Sequence, residues 1–168
     1  MFPAGSKRGF TLIEIAVVIL LISIMLLVTL PRLPDSPLTD QTRKTKRWII
    51  LKVKDLKELA VRDQKVYTLN VGLELNRLWV TSEDMTEENK LAAVDDGLEL
   101  AADLKLSDVE YPGDQKIDSG MAEIHFFPKG YSERAMIHME DGDRRYSFQI
   151  ESFLSTVKVY DAYIGFEN

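Results

Sequence analysis

The sequence predicts an α+β fold: a long amino-terminal helix whose first half suits a membrane, with its second half packed on antiparallel β-sheet. Three observations predict it. From Phe10 to Leu30 there is one formal charge, Glu14, in an otherwise apolar run closed by Pro31. Ile49, Val53, Leu56 and Ala60 then recur at i, i+4, i+7 and i+11, an apolar stripe along one side of a second helical stretch. From Lys65 onward the apolar period shortens to two, the period of strands.

The first helix is about 31 Å long at ~1.5 Å per residue, close to the ~30 Å apolar core of a bilayer. Lys7 and Arg8 precede it. The apolar run exceeds the ~7–15 residues of a secretory signal, and Pro31-Arg32-Leu33-Pro34 is a poor cleavage site, so the helix is expected to stay with the protein. Glu14 is the informative residue. A charged side chain inside a spanning helix costs roughly 2.5–3.5 kcal/mol on insertion scales unless it reaches the interface or is paired. Two readings stand side by side. Glu14 either sits at headgroup depth, or meets a cation within the apolar layer. Cutting the chain between Gly9 and Phe10 would create such a cation, the α-amino group of Phe10, which a neighbouring copy could present to Glu14.

Lys7-Arg8-Gly9-Phe10-Thr11-Leu12-Ile13-Glu14 resembles the prepilin leader junction of type IV pilins and type II secretion pseudopilins. The basic leader, the Gly, the Phe and a Glu at the fifth mature position all match. The resemblance implies that a prepilin peptidase cuts after Gly9 and methylates Phe10, and that Glu14 is the assembly carboxylate. Pro31 falls where such helices commonly loosen. The implied organisation is a leader at 1–9, a transmembrane helix at 10–30, a proline-containing break at 31–38 and a periplasmic domain at 39–168. Charge counting disagrees with the implied orientation. Arg32, Arg43, Lys44, Lys46 and Arg47 after the helix outnumber Lys7 and Arg8 before it, which on a positive-inside count places the domain in the cytoplasm. The resemblance places it outside.

Only Lys7, Arg8, Glu14 and Arg32 are charged before Asp35, so the remainder of the chain is net −8. An acidic domain argues against nonspecific nucleic-acid binding. The absence of cysteine excludes a disulfide framework and thiol chemistry. About 130 residues beyond the membrane segment suffice for one independent core.

Pro34 and Pro37 interrupt any helix through 31–38. Thr39 or Asp40 is placed to cap a second helix that runs to about Asp63. Glu58 and Arg62 are spaced as a favourable i,i+4 pair on its exposed side. The basic run from Arg43 to Arg47 is either a solvated face or a contact with anionic lipid or acidic neighbouring subunits. Val66–Val71 and Arg77–Thr81 read as a hairpin turning around Gly72–Asn76. The acidic stretch from Ser82 to Gly97 reads as a surface excursion with a short helix at 88–94. Leu104–Glu110 suggests a strand, and Tyr111-Pro112-Gly113-Asp114 a turn. Strands follow at 121–127, 134–140, 144–150 and 157–161, with Asp141-Gly142 as a tight hairpin signal. Alternation predicts that Ala122, Ile124 and Phe126, and likewise Ala135, Ile137 and Met139, bury against the helical stripe.

This second half is similar to the soluble domain of H-type minor pseudopilins of type II secretion and related minor pilins. The order helix, hairpin, acidic loop, then closing hairpins matches, as does F-x-P-x-G at Phe126 to Gly130. No stretch matches the calcium loop of the major pseudopilins.

Candidate chemistry is sparse. His125 and His138 are both predicted to leave the buried face, beside Glu123 and Glu140. Two His and two Glu on neighbouring strands could bind a metal if opposite in register, but cross-strand polar pairing is the simpler reading. Glu140-Asp141-Gly142-Asp143 lacks the spaced ligands of a calcium loop. No phosphate loop, nucleophile elbow or H-E-x-x-H occurs. Trp48 and Trp79 are core or interface anchors. No catalytic residue, cofactor or metal is expected.

Three function classes remain. The first, implied by the resemblance, is a structural minor pseudopilin, with other major and minor pseudopilins, the prepilin peptidase, the inner-membrane assembly platform and membrane lipid as partners, and no nucleic acid. The second is a minor pilin of a type IV or competence pilus. The third, a single-pass periplasmic enzyme, calls for a catalytic constellation that the sequence does not present.

Overall fold

A computed structural model describes residues 11–29 and 38–166, and the chain divides into two units, 1–36 and 37–168. In the first unit, helix α1 spans Leu12–Thr29. Its side chains from Leu12 to Met25 are exposed, with apolar residues on every side. Thr11 opens it: the Thr11 Oγ1 and carbonyl both accept from the Glu14 N–H, at 3.4 and 3.1 Å. Ser23 returns its hydroxyl to the Ile19 carbonyl at 2.8 Å, so the one mid-helix hydroxyl is satisfied within the helix.

The second unit begins with helix α2, Leu38–Asp63. Thr39 and Asp40 were expected to cap it, but both lie inside its first turn. Asp40 there faces the positive end of the helix dipole and pairs with Lys44 at 2.8 Å. The stripe Ile49, Val53, Leu56 and Ala60 is completely buried. At roughly 1.5–3 kcal/mol for each large apolar side chain, this face holds the helix to the domain. The Glu58–Arg62 pair does not form. The Arg62 guanidinium instead grips Asp63 at 2.8 and 3.3 Å, while Glu58 pairs with Lys54 at 3.8 Å. The Arg62 donors, joined by the Tyr67 hydroxyl at 2.7 Å, hold the Asp63 carboxyl down at about 2.

Among the described residues nine strands follow: β1 Tyr67–Gly72, β2 Arg77–Ser82, β3 Leu98–Glu99, β4 Leu104–Tyr111, β5 Gln115–Ile117, β6 Met121–Phe126, β7 Ala135–Asp141, β8 Arg144–Ile150 and β9 Val157–Tyr160. They form two antiparallel sheets, ordered β3-β2-β1-β6 and β5-β4-β7-β8-β9. Helix α2 lies against β1 and β6 of the first sheet and β9 of the second. The predicted core faces are in place: Ala122, Ile124, Phe126, Ala135, Ile137 and Met139 are all fully buried in one cluster with the helical stripe. Consecutive strands β6 and β7 belong to different sheets: the chain turns back on β6 at Pro128-Lys129-Gly130, with Phe126 and Ser132 bridged antiparallel and the Phe127 N–H donating to the Tyr131 carbonyl at 2.9 Å, and then passes to the second sheet. Strands β3 and β5 are too short to show a period in sequence.

Helix α3, Glu87–Asp95, sits in the acidic excursion, capped by the Thr86 hydroxyl accepting from the Asn89 N–H at 3.3 Å. It covers the outer face of β2, where Trp79 is buried away from the main core. Gly97 allows this cover: a Cβ there would stand 2.7 Å from the Leu78 carbonyl and 2.9 Å from the Trp79 Cβ. Trp48 is half-buried at the core's edge with Lys52 over its ring at 5.5 Å.

The two sheets are joined through Asn76. Its backbone is left-handed at φ +50°, its amide nitrogen donates to the Leu104 carbonyl at 2.6 Å, and its amide oxygen accepts from the Leu106 N–H at 2.9 Å. Its own carbonyl accepts from Leu100 at 3.0 Å. One side chain thus stands in for a strand along the upper part of β4.

Candidate functional site

The processing residues Gly9 and Phe10, and Pro31 at the expected break, lie outside the described residues. Glu14 is described. It occupies the third position of α1, exposed, with Thr11 three residues before it. Thr-x-x-Glu is the spacing of a capping box, and a carboxylate in the first turn is favoured by the helix dipole. The helix therefore opens at the site and presents an anion there, among side chains that are otherwise apolar and exposed. Among the described residues, no helix is by itself long and apolar enough to cross a membrane. α1 alone spans about 27 Å over its 18 residues. In the sequence the apolar run extends past it at both ends, to Phe10 and Leu30.

The basic run of α2 is divided. Lys46 folds back on the domain, 2.7 Å from Asp161 and 3.6 Å above the Tyr146 ring. Arg43, Lys44 and Arg47 are exposed.

The histidines depart from expectation. They do not share neighbouring strands: His125 is on β6 of the first sheet and His138 on β7 of the second. His125 is partly exposed and bound to Glu133, whose carboxylate receives both the His125 backbone N–H at 3.0 Å and contacts its Nδ1 at 2.9 Å. Glu133 and the Tyr111 hydroxyl, which donates to the Glu123 carbonyl at 2.6 Å, occupy the outer edge of β6. Burial pushes the Tyr111 phenol up to about 12. His138 was expected on an open face and is instead buried, 1% exposed. It contacts Asp108 at 2.7 Å and the Ile164 carbonyl at 2.8 Å. Alternation correctly turns His138 away from the core, but residues 162–166 cover that second face. Among the described residues, no group of three His, Asp or Glu is placed to hold a metal. A concavity of about 700 Å³ on the outer face of β2, β1 and β6 is an open groove lined by Thr68, Asn70 and Trp79.

Lys57 is a further residue that sequence reasoning missed. It is 5% exposed, and its ammonium donates to the carbonyls of Glu151, Ser152 and Leu154 at 2.6, 3.1 and 2.6 Å. Burial pushes this amine below the ordinary lysine range, and the nearby Glu151 offsets part of that. The loop it holds carries Phe153, 82% exposed. Phe153 continues a surface row of rings through Tyr131 to Phe127, at 6.1 and 4.7 Å between centroids.

Comparison with known proteins locates both halves of this arrangement. Residues 5–30 match the family described as the prokaryotic N-terminal methylation motif. No curated protein sequence matches the chain. Among solved structures, the minor pseudopilin EpsH from the type II secretion system of Vibrio cholerae is similar, with a TM-score of 0.54 at 13% identity over 75% of this chain and 97% of that one. A second structure of EpsH from the same organism gives 0.52 at 11% identity, over 71% and 94%. The chain thus carries an N-terminal methylation motif, and its α+β fold is the pilin-like fold of these minor pseudopilins.

Proposed function

We propose that this chain is a structural minor pseudopilin of a type II secretion system. It is held in the inner membrane by the segment around α1, with residues 39–168 in the periplasm, and is built into a short pseudopilus with other pseudopilins. The observation that carries this reading is the union, in one chain, of an N-terminal methylation motif at 5–30 and a downstream domain with a minor-pseudopilin fold. Cleavage after Gly9 by a prepilin peptidase frees the Phe10 amine, which becomes methylated. Apolar helices of adjacent subunits pack together, and Glu14 of one pairs with the Phe10 amine of the next. Each charge is costly in the apolar layer alone and tolerable when paired, so the pair sets the axial register of assembly. The assembly platform of the inner membrane would supply the work; the domain supplies a rigid surface for neighbours. The EpsH likeness favours secretion over the pilus reading.

Glu14→Leu tests the pairing. The domain beyond residue 38 is expected to remain folded, while crosslinking of the full-length protein into pseudopili falls by about tenfold or more, the worth of one charge pair at membrane depth. Incorporation at the wild-type level would remove Glu14 from the assembly step.

A further inference from the structure

The second sheet contains a buried ionisable centre that assembly through the helix does not use. Strand β4 pairs with β7 through a register shift between Leu106 and Asp108. This bulge turns Asp108 outward, opposite His138, and returns Val109 to the core. The displaced Ser107 hydroxyl is left buried without a hydrogen-bond partner. The sheet thus accepts a local defect that sets a carboxylate beside an imidazole.

Residues 162–166 lie across this face, held by side chains rather than by strand pairing. Ser147 Oγ donates to the Ala162 carbonyl at 2.8 Å and accepts from the Ile164 N–H at 3.0 Å. The Phe166 N–H donates to Glu110 at 3.0 Å. Tyr163 stacks on the His138 ring, 4.0 Å between centroids, and its hydroxyl donates to Asp108 at 3.2 Å. His138 is the centre of the contact. Its Nδ1 meets the Asp108 carboxylate and its Nε2 meets the Ile164 carbonyl. Both partners are acceptors, so only the doubly protonated ring satisfies both. Lys116 lies 3.3 Å from the Asp108 carboxylate and donates to the Tyr163 hydroxyl at 2.8 Å, placing a second cation beside the pair. The other charges around the face include Glu110, Glu140 paired with Arg145 at 3.5 Å, Lys105 opposite Glu140, Arg134 over the Phe166 ring, and Lys158 of β9, which with Arg134 flanks Glu151 at 4.0 and 3.1 Å.

We propose that residues 162–166 are a strap that a protonated His138 latches onto the second sheet, and that the latch weakens as pH rises. With the ring neutral, its single N–H serves Asp108, and the Nε2 lone pair then faces the Ile164 oxygen across 2.8 Å. The strap is therefore held while both ring nitrogens carry protons and is loosened when one of them is lost. Release uncovers His138 and the neighbouring Met136, changing the surface that this side of the domain offers.

Hydrogen exchange on the full-length protein in detergent tests this. After correction for intrinsic rates, protection of 162–166 is expected to fall about tenfold between about pH 5.5 and about pH 8.5, the worth of one hydrogen bond. Protection of β7 and β8 should be unchanged. His138→Gln should abolish the pH dependence, and His125→Gln should keep it. Equal strap protection at both pH values, or dependence persisting in His138→Gln, overturns the proposal. If His138→Gln does not fold, nitrogen NMR of the wild-type ring decides. Both ring nitrogens must carry protons when the strap is protected, and a neutral ring under a protected strap overturns the latch.

Discussion

Lys57→Met is expected to destabilise the domain by about 3 kcal/mol and to lower its Tm by on the order of 10 °C. Lys57 projects from α2 and its stem is buried, so methionine preserves most of its volume. The ammonium is not replaceable. Three carbonyl oxygens of one loop converge on it; without it, Glu151 keeps only the Ser132 hydroxyl at 3.4 Å and Ser152 only the Ser132 N–H at 2.9 Å, and the charge-assisted bonds to all three are lost. Lys57→Arg should recover less than half of the loss, because a planar guanidinium cannot direct its hydrogens to three oxygens that surround a point. Thermal unfolding of the three proteins measures this. The loop at 151–155 should lose protection first, since Lys57 ties it to the helix. An unchanged Tm in Lys57→Met would mean that the three carbonyls find other donors.

Asn76→Ala should cost about 3 kcal/mol for a different reason. Its amide satisfies one acceptor and one donor of the β4 backbone, and its own φ of +50° is a conformation that alanine adopts poorly. Asn76→Gly separates the contributions. Glycine removes the strain without restoring the bonds, so it should recover about 1 kcal/mol. Asn76→Asp keeps the acceptor for Leu106 and sets a carboxylate against the Leu104 carbonyl, and should be at least as damaging as alanine. Denaturant unfolding of the series reports the order; wild-type stability in Asn76→Ala would show that the sheets do not depend on this bridge.

Much of this architecture was readable in sequence, because burial on one face imposes a period. The stripe Ile49, Val53, Leu56, Ala60 and the alternations at Ala122–Phe126 and Ala135–Met139 each name a face, and those faces are the core. Period does not encode which strands are neighbours. The division into two sheets, with β6 and β7 apart, was therefore invisible. Alternation also states which way a side chain turns, not what meets it there. His138 turns outward as expected, yet is buried by a segment with no periodicity of its own. Asp108 was hidden further, because a bulge shifts the alternation by one residue in the middle of β4. Lys57 follows Leu56 in a helix rich in charge, and reads as solvated unless the 151–155 loop is known to cross it. For Glu14 the reverse holds. A carboxylate in an apolar run is conspicuous in sequence, while its proposed partner belongs to another subunit.

That pairing requires a free amine at Phe10, and the mass of the mature chain reports it most directly. Protein extracted from membranes of cells that contain the prepilin peptidase is expected to begin at Phe10 and to carry one added methyl group. A chain that retains Met1 to Gly9 and still enters pseudopili would contradict the account.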